Sequence, residues 1–336
     1  MGESKNEFSV QRIAELAGVS TATVSRVLNF KDNVTKETRA RVMGVLDQLG
    51  YQPQSIRGAG ALQNKLLLMS LQNLHNPIAA HAVDGAQAAA SQYGYQLLLV
   101  QAENLDKSIE GYLSLMKSSQ AAGLILLDDL IDDGMLEKLA NRIPYVLILS
   151  SSPARNVSSV SIDDYEAAVK AVNYLLSIGR RRIALLNGSA HYKYAERREA
   201  GYRFALRKAG IPVDERLIVH LSADFRMESA MAAAEGVLSA PDRPDAFFAV
   251  SDVYASAAIR TCNRFGLSVP ADVAVVGFDN TSLSLITDPP ITTMVQPAQQ
   301  IGFMACHLLI DKIRSKNLLH KQVVLESELI VRGSTL

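Results

Sequence analysis

From Lys65 onward, short apolar segments alternate with helical stretches, and this alternation constrains the fold more than any other feature of the chain. The apolar segments are LLLMSL, YQLLLVQ, GLILL, YVLILS, SVSID, RIALLNG, DAFFAVSD and VAVVGFD. Short runs this rich in Leu, Ile and Val are typical of strands buried on both faces of a parallel sheet. The pattern therefore predicts an α/β fold with two doubly wound parallel-sheet subdomains and a cleft between them.

The stretches between these segments have helical periodicity. We expect helices at about 77–93, 106–119, 132–141, 164–178, 195–209, 226–238 and 253–265. The two subdomains are predicted at about 64–162 plus 293–322, and at about 163–292 plus 323–336.

The first fifty residues have a different, purely helical pattern. Ser9 can cap a first helix, Gly18 can end it at low conformational cost, and Ser20 or Thr21 can cap a second helix. A third runs from about Thr35 to Leu49. The predicted inner faces of the three helices consist of Ile13, Leu16, Ala17, Val24, Val27, Leu28, Val42, Val45, Leu46 and Leu49.

The second of these helices has a narrow outer face, formed by Thr21, Ala22, Ser25 and Arg26. A helix, a glycine turn and a helix with a small polar face are typical of a helix-turn-helix domain, whose second helix lies in the DNA major groove. Hydroxyl groups and the helix N-terminus can hold phosphates, and an arginine can reach a base edge. From spacing alone, a three-helix bundle that binds protein or no partner is the open alternative.

The segments IAELAGVSTATVSRVLN and VTKETRARVMGVLDQLGYQP resemble the DNA-binding headpiece of the LacI/GalR family of bacterial repressors. The resemblance implies that Thr21, Ala22 and Arg26 choose the operator sequence, with apolar contacts from the two small side chains. One departure is Arg12, where the family commonly has aspartate. The full set of expected DNA-binding residues is Ser20, Thr21, Ala22, Ser25, Arg26, Asn29, Ile56 and Arg57.

The resemblance also divides the chain into a headpiece at 1–52, a hinge at 53–63 and an effector-binding and dimerisation core at 64–336. In the family the hinge forms a helix on operator DNA and inserts a leucine into the minor groove. Here Gly60 occupies that position and Gly58 lies nearby, and each glycine costs about 1 kcal/mol against alanine in a helix. We therefore expect a hinge that is poorly helical even on DNA.

Polar residues follow several of the predicted strands, where open α/β sheets bind their ligands. These are Asn76, Asp163, Ser251, Asp252 and Asp279. Each acidic residue could instead serve only as the N-cap of the next helix.

The core also resembles the family in ERREAGYRFAL, VVGFDN, DPPITTMVQPAQQIG and ELIVRGST. The resemblance implies effector contacts, with Tyr194 as added aromatic surface, at Asn76, Asp163, Tyr194, Arg198, Phe225, Ser251 and Asp279. Ile78 and Ala79 replace the aromatic residues that the family usually has. Ser251 replaces a frequent asparagine, as in the cytidine-repressor branch. A sugar and a nucleoside therefore both remain possible effectors.

The net charge and the cysteine content limit the kinds of partner and cofactor that the protein can have. The formal net charge is zero, which excludes a strong overall field toward nucleic acid or membrane but not a local one. The two cysteines, Cys262 and Cys306, show no metal-ligand spacing, and no cofactor motif or metal pattern is present. No signal peptide or membrane span is apparent, so we expect a soluble cytoplasmic protein. A palindromic double-stranded DNA operator favours a homodimer.

Three functions compete. The first is a transcriptional regulator, and specifically a repressor, whose operator affinity is controlled by a small molecule in the core cleft. The alternative is a small-molecule (sugar) binding protein without DNA function, against which the helix-turn-helix pattern argues. The third is a sugar-processing enzyme, but the sequence offers no catalytic constellation, so we predict that the protein is not an enzyme.

Overall fold

The structure, a computed structural model, describes residues 10–28, 34–48, 65–71, 77–101, 108–127, 131–222, 225–315 and 320–336. The chain divides into two compact units, Met1–Asn64 and Lys65–Leu336, which we call the headpiece and the core. The predicted hinge at 53–63 lies outside the described residues, so its poor helicity stays a prediction.

The described residues of the headpiece form three helices: α1 (Val10–Ala17), α2 (Thr21–Leu28) and α3 (Lys36–Gln48). Their shared core consists of Ile13, Ala14, Ala17, Val24, Val27 and Val42, all buried. Val45 packs against this core, as predicted. The side chains of Leu28 and Leu46, and the whole of Leu49, lie outside what the structure describes.

The prediction that Leu16 faces the headpiece core is wrong. Its side chain is 46% exposed, and Ala14 is buried in its place at 5%. Because helical residues are about 100° apart, Ile13, Ala14 and Ala17 form one stripe and Leu16 falls beside it. Ala14, and not Leu16, therefore contributes its side chain to the headpiece core.

Local chemistry explains the boundaries of these helices. Gly18 follows α1 with φ of 62°, a left-handed conformation that glycine adopts without steric cost. The Ser20 hydroxyl accepts a hydrogen bond from the Thr23 N–H at 3.1 Å, so Ser20 is the residue that caps α2. The Thr35 hydroxyl accepts from the Thr38 N–H at 3.3 Å in the same way at α3.

The described core alternates strands and helices along the chain. Its strands are β1 (Leu66–Leu71), β2 (Gln96–Gln101), β3 (Gly123–Leu127), β4 (Tyr145–Ile148), β5 (Ser159–Ile162), β6 (Ile183–Asn187), β7 (Ile218–His220), β8 (Ala246–Ala249), β9 (Ala274–Asp279), β10 (Thr292–Val295), β11 (Gln322–Leu325) and β12 (Leu329–Ile330). Its helices are α4 (Ile78–Gln92), α5 (Ile109–Ser119), α6 (Asp133–Ala140), α7 (Asp164–Ser177), α8 (Lys193–Lys208), α9 (Met227–Leu238), α10 (Asp252–Arg264), α11 (Leu283–Ile286) and α12 (Ala298–Arg314).

Two six-stranded sheets define two lobes. Lobe one has the strand order β11-β5-β4-β3-β1-β2, with every neighbouring pair parallel. Lobe two has the order β12-β10-β9-β8-β6-β7, parallel except for the β10–β12 pair. Helices cover the sheets, and the predicted doubly wound α/β architecture is confirmed.

The predicted crossover points between the two lobes need correction. The sequence boundaries place residues 293–295 in the first subdomain, but β10 pairs with β9 in lobe two. They also divide β11 after residue 322, but the whole strand pairs with β5 in lobe one. The chain therefore returns to lobe one after β10, through α12, and leaves it again only after β11.

Two glycines allow α4 and α12 of lobe one to pack closely. A Cβ on Gly85 of α4 would lie 1.8 Å from the Gln299 carbonyl oxygen. A Cβ on Gly302 of α12 would lie 1.9 Å from the Ala82 carbonyl oxygen. Because both neighbours are backbone atoms, neither position has room for a larger residue at this helix separation.

Candidate functional site

The carboxyl ends of three neighbouring strands of lobe two, β6, β8 and β9, lie side by side. Leu186 on β6 is in register with Ala249 on β8, and the Val250 N–H donates to the Leu186 carbonyl at 3.0 Å. Ser251 follows β8, and Asp279 is the last residue of β9. Parallel pairing therefore places the predicted polar residues Ser251 and Asp279 at one edge of the sheet.

Arg198, on α8, occupies the centre of this edge. Its side chain is 4% exposed, and Nη1 donates to the Val250 carbonyl at 2.7 Å. The guanidinium carbon lies 3.5 Å from the centroid of the Phe278 ring. Since Val250 precedes Ser251 and Phe278 precedes Asp279, Arg198 contacts the neighbours of both predicted site residues.

A carboxylate that the sequence reasoning missed holds Arg198 in place. Asp164 Oδ1 accepts from Arg198 Nε at 2.8 Å and lies 2.7 Å from Nη2. Burial raises the pKa of Asp164, and the positive charge of Arg198 opposes that rise. The consecutive acids Asp163 and Asp164 were the only available signal, and the sequence could not tell which one faces inward.

Asp163 and Ser251 both fill the role of helix N-caps. Asp163 Oδ1 accepts from the Tyr165 and Glu166 N–H groups at 3.1 and 3.2 Å. Ser251 Oγ accepts from the Tyr254 N–H at 3.2 Å. Ser251 is completely buried, whereas the Asp163 side chain is 42% exposed and 3.4 Å from Arg197. The N-cap interpretation thus describes the local role of both residues.

Asp279 is not an N-cap. Its carboxylate is buried and accepts from Gln296 Nε2 at 2.6 Å. Gln296 lies where the chain leaves β10 for lobe one, so this bond ties the site to a crossover between the lobes. Sequence spacing offered no signal for Gln296, because the contact joins residues seventeen positions apart.

Both aromatic residues of the predicted site make ring contacts. Arg198 lies 5.1 Å from the centroid of the Tyr194 ring, and Phe225 stacks on Tyr254 with centroids 5.5 Å apart and planes at 19°. Gly188 makes room for Tyr194, because a Cβ there would lie 2.3 Å from the tyrosine oxygen. Tyr194 therefore lies beside Arg198, and Phe225 lies beside Tyr254, whose N–H donates to Ser251.

The lobes are also joined at the start of α8. Lys193 Nζ lies 2.7 Å from Asp133 Oδ1 on α6 of lobe one, and the Ser152 hydroxyl donates to the same oxygen at 2.6 Å. Burial raises the pKa of Asp133, but the hydrogen bonds from Lys193 and Ser152 and the positive charge of Lys193 outweigh this effect, so the pKa is lowered overall. This bridge was not predicted from the sequence.

Two of the predictions concern the first strand-end loop. Asn76 lies outside the described residues, so its place in the site stays a prediction. Ile78 and Ala79, which replace the aromatic residues of the resembling family, are buried in the large apolar core. They are packing residues at the start of α4.

In the headpiece, Thr21 and Ala22 are exposed in the first turn of α2, next to the capping residue Ser20. Ser25 and Arg26 belong to the same helix, between the buried residues Val24 and Val27. The side chains of Ser25 and Arg26 lie outside what the structure describes, as do Asn29, Ile56 and Arg57 entirely. Their DNA contacts stay predictions.

Among the described residues, no group of three or more His, Cys, Asp or Glu side chains could hold a metal ion. No helix in the described ranges is long and apolar enough to cross a membrane.

A helix-turn-helix headpiece joined to a two-lobed core with a polar, aromatic-lined strand edge defines a ligand-controlled DNA-binding transcription regulator. Residues 9–54 match the bacterial regulatory proteins of the lacI family, and residues 172–335 match the periplasmic binding protein-like domain. The chain is 33% identical, over 97% of its length and 96% of the relative, to the HTH-type transcriptional repressor CytR of Escherichia coli (strain K12). The chain belongs to the LacI family.

Solved structures agree with this assignment. The transcriptional regulator CelR–cellobiose complex is 32% identical, with a TM-score of 0.72 over 97% of this chain and 99% of that one. A lac repressor dimer bound to operator and an anti-inducer is 24% identical, with a TM-score of 0.77 over 98% of this chain and 99% of that one. At that identity the second likeness concerns the fold alone.

Proposed function

We propose that this regulator is a repressor that binds a palindromic double-stranded operator as a homodimer, and that a sugar or nucleoside in the core cleft controls its operator affinity. The effector would favour one arrangement of the two lobes and so change the placement of the paired headpieces. Operator choice would depend on Thr21, Ala22 and Arg26. The site of action would be the cytoplasm, where the operator DNA lies.

The observation that carries the effector proposal is the group around Arg198. A sugar hydroxyl both donates and accepts hydrogen bonds, so it needs acceptors and donors together in a partly dry site. Asp279 offers an acceptor, Ser251 offers both, and Arg198 offers donors. The faces of Tyr194 and Phe225 suit either a sugar ring or a base.

Two considerations keep both ligand classes open. The CelR structure contains cellobiose, a disaccharide, at 32% identity to this chain. Ser251, by contrast, replaces the asparagine common in the family, and the cytidine-repressor branch, whose name points to a nucleoside, has serine there. A panel that contains both classes decides between them.

The homodimer is supported by apolar surface on both lobes. On β2, the last strand of its sheet, Leu98 and Leu99 are 49% and 45% exposed. On α11 of lobe two, Leu285 and Ile286 are 62% and 76% exposed. Large apolar side chains at a sheet edge and on a short helix are typical of surfaces that a second copy covers.

A thermal-shift panel tests the effector site on the purified full chain. The probes are D-glucose, D-ribose, cellobiose, adenosine, cytidine and uridine, added one at a time. A ligand at about one hundred times its Kd stabilises the folded protein by about 2.7 kcal/mol, which is easily seen. Asp279→Ala should abolish the shift, whereas the matched control Asp242→Ala, an exposed carboxylate of the same lobe, should retain it. A normal shift in Asp279→Ala would place the site elsewhere.

Selection from a random duplex pool tests the DNA proposal. The full chain should enrich a palindromic sequence, and affinity for it should fall steeply with salt because phosphate contacts release counter-ions. Arg26→Ala should lose the sequence preference, whereas Arg243→Ala, an exposed arginine of the core, should keep it. Ligand binding without any selected sequence would favour the alternative, a small-molecule binding protein without DNA function.

A further inference from the structure

The turn that carries Asp279 has an unusual backbone. Asp279 has φ of 101° and Asn280 has φ of 56°, both in the left-handed region although neither is glycine. Such conformations are uncommon for residues with a Cβ, and they persist only where the surrounding structure determines them. Some group must therefore hold this turn.

Asp252, the first residue of α10, is placed to do so. Its side chain is buried, and Oδ2 accepts from the Thr281 N–H at 2.6 Å and from the Thr281 hydroxyl at 3.0 Å. Oδ1 accepts from the Thr293 hydroxyl on β10 at 2.7 Å. One carboxylate thus joins α10, the turn after β9, and β10.

The same hydroxyl links Asp252 to the second left-handed residue. Thr293 Oγ1 accepts from the Asn280 N–H at 3.3 Å while it donates to Asp252. The carboxylate also needs space beside β9, which Gly277 provides. A Cβ on Gly277 would lie 2.7 Å from Asp252 Oδ1. Asp252 therefore holds Asn280 through the Thr293 hydroxyl, and it holds the next residue, Thr281, directly.

We propose that Asp252 is a positioning residue for effector binding: it holds the Asp279–Thr281 turn in the left-handed conformation that presents the Asp279 carboxylate at the strand edge. The inference rests on the proposed role of Asp279 in the effector site. Asp252 itself is beneath the site and need not touch the ligand. Asp252 instead orients Asp279, the residue proposed to contact the ligand, and a small displacement of such a residue weakens binding strongly.

The electrostatics of the turn agree with this role. Burial and the negative charge of Asp279 raise the pKa of Asp252 to about 7, against the hydrogen bonds from Thr293 and Thr281. Arg332 also faces the turn, where its Nη2 donates to Asn280 Oδ1 at 2.8 Å. Protonation would add an O–H donor to a carboxylate that already receives three donors. A neutral carboxyl is a weaker acceptor than a carboxylate for these donors, so the ionised form holds the turn best.

Three variants of the full chain test the proposal. Asp252→Ala removes every bond to the turn. Asp252→Asn keeps one oxygen for Thr281, and its amide can donate to the Thr293 hydroxyl, but it cannot titrate. The matched control is Thr261→Ala, which removes a buried hydroxyl from the same helix that donates to the Ala257 carbonyl at 2.8 Å, away from the turn.

The first readout needs no ligand. Amide hydrogen exchange of the peptide that contains Thr281 should lose about tenfold protection in Asp252→Ala, because the bond from this N–H to the carboxylate is gone. Asp252→Asn and Thr261→Ala should retain it. Unchanged protection in a folded Asp252→Ala overturns the proposal.

The second readout is affinity for whichever of the six probes above stabilises the wild type. We expect Asp252→Ala to weaken binding about tenfold to a hundredfold. Wild-type affinity should weaken below about pH 7, by at most tenfold per unit for one proton, and Asp252→Asn should lack this change. Equal pH profiles for wild type and Asp252→Asn overturn the proposal, and this comparison remains decisive if Asp252→Ala does not fold.

The two proposals fail in different ways. If no probe shifts the wild type, the proposed effector class is wrong, while hydrogen exchange still decides the role of Asp252 in the turn. If the wild type binds, Asp279→Ala does not, and Asp252→Ala binds as tightly as the wild type, only the positioning role is wrong.

Discussion

The Arg198–Asp164 pair permits a quantitative prediction, because an exposed pair lies beside it on the same two helices. Arg198→Met removes the partner of a carboxylate whose side chain is 10% exposed. Arg197→Met removes the partner of Asp163 at 3.4 Å, but both side chains there are largely exposed, at 59% and 42%. The two substitutions change the same charge at adjacent positions and differ in burial.

The expected magnitudes differ accordingly. Arg198→Met leaves Asp164 buried without its counter-ion, and breaking such a pair costs about 3–5 kcal/mol. It also removes the hydrogen bond to the Val250 carbonyl and the contact with the Phe278 ring. Arg197→Met should cost less than about 1 kcal/mol, since exposed ion pairs are screened by water and salt. The additional substitution Asp164→Asn should recover part of the loss in Arg198→Met.

The pH dependence provides a second check. Burial already raises the pKa of Asp164 above its usual 3.8, and Arg198 opposes that rise. Without Arg198, the pKa rises further, so the folded protein binds this proton more tightly than the unfolded chain does. A raised carboxyl pKa contributes stability that is present below about pH 4 and is lost as the pH rises through the folded value. As the pH rises from about 5 to about 8, the free energy of unfolding of Arg198→Met should therefore decrease more than that of the wild type.

The assay is urea unfolding of the full chain, followed by tyrosine near-ultraviolet circular dichroism at both pH values. The free energy of unfolding is compared among wild type, Arg197→Met, Arg198→Met and Arg198→Met combined with Asp164→Asn. Equal losses in Arg197→Met and Arg198→Met would refute the reasoning. So would a combined variant that is no more stable than Arg198→Met alone.

Three further predictions concern other parts of the core. Lys193→Met should weaken the binding of a probe that stabilises the wild type, by less than about tenfold, because Lys193 joins the lobes through Asp133 and both side chains are partly exposed. High salt should weaken binding by the wild type toward that of the variant, and an unchanged Kd in the variant would contradict this prediction. Gly302→Ala should destabilise the protein by about 1–3 kcal/mol, because its Cβ would meet the Ala82 carbonyl at 1.9 Å. The control Gly236→Ala, in a helix with open space around it, should raise the thermal midpoint instead. As the pH rises from about 4 to about 7, the free energy of unfolding of the wild type should decrease by up to about 1.4 kcal/mol per pH unit relative to that of Asp252→Asn. The reason is that the pKa of Asp252 is raised to about 7 in the folded protein but not in the unfolded chain. Parallel stability curves in urea would contradict this last prediction.

Periodicity along the chain was enough to determine the architecture. Buried strands of a parallel sheet must be apolar throughout, and helices that cover them must be apolar on one side. The alternation after Lys65 therefore predicts the α/β fold directly. The same logic located the glycine turn of the headpiece and the strand ends that carry Ser251 and Asp279. It failed at Leu16, because a helix of eight residues has room for more than one plausible inner stripe.

Only the tertiary structure decided which polar groups face one another. Asp163 and Asp164 are chemically identical neighbours, and their opposite burial depends on how α7 packs against α8. Gln296 and Lys193 belong to the site through contacts with residues 17 and 60 positions away, which leave no local pattern in the sequence. The points where β10 and β11 change lobes depend on strand pairing across the sheets. Local sequence specifies the elements, but burial, pairing and charge partners are properties of the assembled chain.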